Sequence, residues 1–214
     1  MKNFLLFVIC VLVWSVSISA QTSLSIKYRC TYNLSGNIEK QAELLVVGSK
    51  AMFKHLTPST TPPVESREGN DNGTKTVSLN LTLTDSIGVR YYTDLQKNEI
   101  IAREILFQEG KNQVFIVKEH IEPIIWEVKE EQKKVGRFNC QKAIGKFRGR
   151  TYTAWFTPEI PIHFGPWKLH GLPGLIVEVA DDQKALLMQV QSIMPAVVST
   201  NSIFQPADGK EKSF

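Results

Sequence analysis

His163 and His170 stand in a proline-rich window, with Glu159 just upstream and Glu178 just downstream. Imidazole and carboxylate groups are the ligands of catalytic zinc, and the same groups do general acid–base work near neutral pH. The histidine spacing fits no standard zinc motif, and the sequence holds no HExxH. The competing reading is a turn-rich segment whose imidazoles bond backbone carbonyls or meet solvent, the commoner fate of histidine. That reading is preferred, so no metal and no cofactor is expected. Cys140 could act as a nucleophile with either histidine as its base, yet nothing around it resembles an acyl-transfer signature. No G-x-S-x-G elbow marks a serine hydrolase. Gly171 and Gly174 make no phosphate loop, because the P-loop lysine is missing and a strand pattern follows. Glu159, Glu178, Asp181 and Asp182 could supply a carboxylate pair for glycoside chemistry only if the fold sets their separation. Asp181-Asp182 fits a hairpin tip better. No catalytic residue is assigned.

Aromatic side chains crowd the same window. Trp155, Phe156, Phe164 and Trp167 either line a ligand groove or fill core, since such rings bury large areas. Trp155, His163, Trp167 and His170 are the candidate binding residues.

The elements that must position these groups are strands. Leu24, Ile26, Tyr28, Cys30, Tyr32 and Leu34 alternate with polar residues, which is the period of a long half-buried strand. A turn is expected at Gly36-Asn37, and Ala42–Phe53 reads as one or two strands around Gly48-Ser49. Thr57–Thr74 carries three prolines and no apolar period, so it reads as a flexible loop within the domain. Val77–Leu83, Val89–Asp94, Ile100–Phe107, Gln113–Lys118 and Ile124–Val128 follow as short strands. Glu127–Val135 is charged, with weak apolar periodicity, and allows a helical turn. Phe138–Phe147 and Thr151–Thr157 form a hairpin closed at Arg148-Gly149-Arg150. Leu175–Ala180 and Leu186–Val190 pair across Asp181–Lys184. The expected fold is mostly β, a single antiparallel domain built as a curved sheet or a sandwich.

Residues 158–173 hold four of the ten prolines. Proline fixes φ and denies ladder hydrogen bonds, so the segment is an ordered connection. Leu172-Pro173-Gly174-Leu175 has the composition of a type II turn, with Gly174 at the position that needs φ > 0.

The N-terminus places the chain. Lys2 precedes an apolar run over Leu5–Val16, then small residues up to Ala20, the layout of a secretory signal peptide. The run is shorter than the ~20 residues of a spanning helix. Residues 1–20 are therefore read as signal peptide, 21–195 as the β-rich domain and 196–214 as a tail. Cleavage removes Cys10 and leaves Cys30 and Cys140, either a disulfide or two buried thiols. The whole chain has 214 residues, 25 Lys+Arg against 21 Asp+Glu, and a net charge of +4. That balance is too mild to announce a nucleic-acid or membrane-surface protein, and the 43% hydrophobic content argues against disorder.

Gly171-Leu172-Pro173-Gly174-Leu175-Ile176 matches the hexapeptide that names the GLPGLI family of exported Gram-negative proteins. Cys140–Ala143, Phe147–Arg150, Ala154–Ile162 and Gly165–Lys168 also resemble the family's usual run. The resemblance is dense over residues 126–191 and brings no established activity. It implies an exported protein, since members are often encoded beside outer-membrane transport receptors.

One charge feature stands apart from the average. From Gln132 to Pro158 the chain carries Lys133, Lys134, Arg137, Lys142, Lys146, Arg148 and Arg150 and no acid. This stretch either attracts an anionic envelope component or protects a sheet edge. The function expected is an exported, non-catalytic cell-envelope protein, in the periplasm or at the outer membrane. It would bind a periplasmic or outer-membrane partner, or a ligand, as an accessory to outer-membrane transport, with no nucleic acid and no span after cleavage. The alternative is a periplasmic hydrolase or metal-dependent enzyme built on His163, His170 and nearby carboxylates.

Overall fold

A computed structural model describes residues 23–33, 37–56, 87–108, 111–196, 203 and 205–213. The signal segment, the loop at 57–74, the strand expected at Val77–Leu83 and Gly36 of the expected turn lie outside the described residues. Period-two patterning becomes twelve strands: β1 (Ser23–Asn33), β2 (Asn37–Val47), β3 (Lys50–Leu56), β4 (Arg90–Asp94), β5 (Glu99–Gln108), β6 (Lys111–His120), β7 (Trp126–Val135), β8 (Phe138–Phe147), β9 (Arg150–Thr157), β10 (Leu175–Asp181), β11 (Leu186–Pro195) and β12 (Lys210–Ser213). They form one open sheet in the order β12-β6-β5-β4-β3-β2-β1-β11-β10-β9-β8-β7. All neighbours are antiparallel except β12 and β6. The curved sheet, of the two expected forms, is the one present.

The curl can be measured by a side chain. Trp167, between β9 and β10, meets Tyr91 of β4 at 6.4 Å between ring centroids and Phe147 of β8 at 5.6 Å. β4 and β8 lie seven places apart in the sheet. Flat strands would hold them roughly 34 Å apart, at about 4.8 Å per strand. The sheet therefore wraps around the connection at 158–174, which fills its concave face. Phe164, Leu169 and Leu172 from that connection join Ile26, Tyr28, Leu44, Phe53, Phe156 and Ile176 in the main core. Each fully buried Leu or Ile there contributes roughly 1.5–3 kcal/mol.

The convex side of β3–β6 carries a second cluster of Val47, Met52, Tyr92, Ile101 and Ile116, covered by Ile203. Residues 196–214, where the sequence pattern gives no strand, return to this side and supply β12. Arg103, only 3% exposed, anchors them through Asp208 at 2.9–3.1 Å and through the Gly88 carbonyl at 2.9 Å.

Three expectations are corrected. Glu127–Val135 is part of strand β7, not a helical turn. As the last strand of the sheet it needs few apolar residues, and an irregularity between Val128 and Gln132 breaks its alternation. Next, Gly174 is not at positive φ; Gly171 is, at +93°. What requires glycine at 174 is space, because a Cβ there would lie 2.2 Å from the Thr157 carbonyl oxygen. The motif thus seats β10 against the end of β9 instead of forming a type II turn. Third, Cys30 and Cys140 are free buried thiols. Cys30 shares a lateral row with Met188, Val179, Ala154 and Ala143, with β11, β10 and β9 between it and β8. Cys140, an odd number of residues from Ala143, falls on the opposite face.

Gly174→Ala should destabilise the fold by about 2–3 kcal/mol, since backbone cannot yield as a side chain would. The urea midpoint reads this, and an unchanged midpoint would contradict the close approach.

Candidate functional site

Alternation puts Tyr28, Tyr32, Phe53, His55, Tyr91 and Glu104 on the concave face, a polar-aromatic row in a place where pure apolar packing would suffice. The Tyr28 hydroxyl donates to the Ile176 carbonyl at 2.6 Å. It reaches that carbonyl because β10 pairs with β11 only from Glu178 onward. Tyr28 stacks edge-on with Phe53 at 6.4 Å, and Phe53 meets Tyr91 at the same distance. Tyr32 hydroxyl and His55 Nε2 lie 3.1 Å apart, while His55 Nδ1 is buried without a partner. Burial, helped by the Lys40 charge, lowers the His55 pKa. Burial and then the Glu104 carboxylate raise Tyr91 well above the usual phenol range. Burial also pushes the Cys30 thiol up to about 12. These groups stay neutral near pH 7, so the row packs without needing counter-charges.

Trp167 has φ of +59°, a left-handed backbone that a bulky residue adopts only when its surroundings fix it. Its ring is wedged between Tyr91 and Phe147. Beside it Lys168, with 4% of its side chain exposed, pairs with Glu119 of β6 at 2.8 Å and lies 5.2 Å from the Tyr91 ring centre. Arg148, in the β8–β9 turn, pairs with the other oxygen of Glu119. Next to this lock Lys97, Asn98, Glu99, Lys118, Glu119 and His120 surround an open depression of about 440 Å³. Asn98 Nδ2 and His120 Nε2 are 2.7 Å apart across it.

The four candidate binding residues do not converge. Phe164 and His170 form a narrow antiparallel bridge, so His163 points to the other side from His170. His163 is exposed, with Nδ1 3.0 Å from the Leu172 carbonyl. His170 is 6% exposed and its Nδ1 donates to the Lys168 carbonyl at 2.9 Å, which leaves Nε2 buried without a partner. Trp155 lies on the convex face, under Lys133 at 4.4 Å. Trp167 alone shares the concave interior with His170.

The carboxylates are engaged elsewhere. Glu178 accepts from Lys133 at 2.6 Å and Gln189 at 3.0 Å, and Glu159 accepts from the Asn139 backbone at 2.8 Å. Asp181 holds Arg150 at 2.6 Å and the Leu186 backbone at 2.8 Å. Burial raises the Cys140 thiol pKa, and its charged neighbours are Glu159, Lys133 and Glu178, not a histidine. Among the described residues no three metal-ligating side chains gather.

The basic stretch is also rearranged by folding. Lys133, Lys142, Arg148 and Arg150 find acids at Glu178, Glu131, Glu119 and Asp181. Four of its seven charges are thus neutralised locally by residues outside the stretch. Lys168 and Glu119 are the pair that sequence reasoning missed. Their signal was faint: a lysine enclosed by Trp167 and Leu169, and a glutamate at an inward position of β6.

A family model described as "Protein of unknown function (Porph_ging)" matches residues 148–178, from the β8–β9 turn through the motif connection to Glu178. That is what the chain resembles in sequence. No curated protein matches it. Over 90% of its length the chain is similar in fold to PNGF-II in two crystal forms, P21 and C2, with a TM-score of 0.58 and 13% identity. It covers 32% and 31% of those chains, about a third of their length. At that identity the likeness is one of fold alone. A looser likeness, with a TM-score of 0.45 and 8% identity, spans 91% of this chain and 92% of an uncharacterised conserved protein from Thermus thermophilus, and nothing is argued from it.

Glu119→Gln should cost about 3 kcal/mol in unfolding free energy, because it leaves the Lys168 ammonium buried without its counter-charge. A loss near zero would show the pair to be incidental. A second expectation concerns His170, whose pKa burial lowers from the ordinary 6.5. With the folded value depressed, its stabilisation is complete above pH 6.5 and falls as pH drops through the folded value. Urea midpoints taken from neutral pH to about pH 5 should decline less steeply for His170→Asn than for the wild type. Equal slopes would assign the decline to other groups.

Proposed function

We propose that this chain is an exported, non-catalytic cell-envelope protein of the GLPGLI kind that binds a partner as an accessory to outer-membrane transport. The observation that supports it best is the use made of the motif connection. Residues 158–174 fill the concave face, bury Leu169 and Leu172, and bond both imidazoles to backbone carbonyls. The segment that carries the resemblance therefore works as scaffold, and recognition falls to the outside. There the chain offers the edge of β7, Ile125 at 82% exposure, and the depression beside Glu119. Because most of the basic stretch is already paired with acids, a protein partner is favoured over a polyanion. The signal-peptide layout of residues 1–20 supports export to the periplasm or the outer membrane. No helix among the described residues is long and apolar enough to cross a membrane.

Cross-linking followed by affinity capture from the envelope of the producing bacterium should recover a periplasmic or outer-membrane protein with a chain that starts near Gln21. Recovery of nothing above an unrelated exported control, or a chain that keeps residues 1–20 inside the cell, would overturn the proposal.

A further inference from the structure

β7 is the last strand of the sheet, and among the described residues it has β8 on one side and no strand on the other. A long open edge is an invitation to pairing, which charged residues normally discourage. The order of charges on this edge is unusual. Glu130-Glu131-Gln132-Lys133-Lys134 reverses sign about its central residue. Laid antiparallel against a second copy with Gln132 on the two-fold axis, Glu130 faces Lys134 and Glu131 faces Lys133, each twice. The axis itself is occupied by two neutral amides able to bond each other.

Other registers fail on charge. A two-fold axis normal to the sheet keeps both convex faces on one side, and it must pass through a residue. Centred on Glu130, Glu131, Lys133 or Lys134, it sets two like charges against each other at the closest point, which is destabilising. A parallel arrangement opposes Glu to Glu and Lys to Lys throughout. Only the Gln132 register within this run is free of like-charge contacts.

The intramolecular partners favour the same arrangement. Glu131 already pairs with Lys142 at 3.0 Å, and Lys133 with Glu178 at 2.6 Å. Adding the second copy gives an alternating row, Lys142–Glu131 of one copy and Lys133–Glu178 of the other, with no charge displaced from its present partner. Glu130 and Lys134 are exposed and make no ion pair among the described residues, so they are free to contribute across the axis.

We propose that two copies of this chain associate through antiparallel pairing of their β7 edges, centred on Gln132, to form a continuous sheet across a two-fold axis. The inference is independent of the envelope-binding proposal, since it rests only on the edge and its charge order. It is isologous, so it closes at two copies and leaves the β12 edges outside.

Sedimentation velocity of the purified chain tests it. The wild type should be a reversible dimer that weakens as salt rises. Lys134→Glu alone, or Glu130→Lys alone, places like charges opposite each other twice and should weaken association by about tenfold or more. The double variant E130K/K134E restores complementarity and should recover the dimer. Mixed together, the two single variants should form a heterodimer, because one presents two acids at these positions and the other two bases. Unchanged urea midpoints establish that each variant is folded, as expected for exposed positions. A wild type that stays monomeric into the millimolar range overturns the proposal. So does a dimer indifferent to the single changes, or a pair of single variants that ignore each other on mixing.

Discussion

Lys168 carries a charge into a place where 4% of its side chain meets water, and the Glu119 carboxylate 2.8 Å away makes that placement tolerable. An unpaired ammonium so enclosed would cost several kcal/mol. The pair does more than satisfy itself. Lys168 belongs to the connection between β9 and β10, whereas Glu119 is on β6, and Arg148 reaches the same carboxylate from the β8–β9 turn. β6 and β8 lie nine places apart in the sheet, roughly 43 Å if it were flat at about 4.8 Å per strand. One carboxylate thus fixes both the curl of the sheet and the depth to which the connection is inserted. The ring chain from Tyr28 through Phe53, Tyr91 and Trp167 to Phe147 follows from that geometry.

Much of this was legible wherever burial was one-sided. The alternation in β1, the Gly48-Ser49 turn, the β8–β9 hairpin and the β10–β11 return all come from residues that face core on one side and water on the other. β7 was illegible for the opposite reason: both faces and one edge are polar, so no period survives in its sequence. β12 has four residues, and its docking depends on Arg103 meeting Asp208 across 105 positions, a distance no local pattern reports. The glycine at 174 was flagged by composition for a torsional reason, while the actual constraint is contact with Thr157, visible only once β9 and β10 are side by side.

The candidate site was half legible. Residue types singled out His163, His170, Trp155 and Trp167, but a two-residue difference in bridge position is enough to send imidazoles to opposite sides of a narrow ladder. Their chemistry then turns inward. A histidine bonded through Nδ1 to a carbonyl in its own loop, with its other nitrogen enclosed, is a rigidifying element, and protonation is opposed by its burial. The same holds for the thiols, which burial keeps protonated. Reactive residue types have here become neutral packing groups.

Charge locality in sequence also misleads about charge locality in space. A run of seven bases without an acid reads as a basic face, yet strands bring Glu131, Glu178, Asp181 and Glu119 to four of them. The acids lie in neighbouring strands because antiparallel pairing joins residues far apart in the chain. What remains unpaired sits at the turn residue Arg137, at Lys146 and on the β7 edge, where Lys134 is balanced in the sequence by Glu130. Such an edge is not protected by net charge, since Glu130, Glu131, Lys133 and Lys134 sum to zero. Its protection lies in order alone: most strands laid beside it meet a like charge, and a strand of reversed order does not.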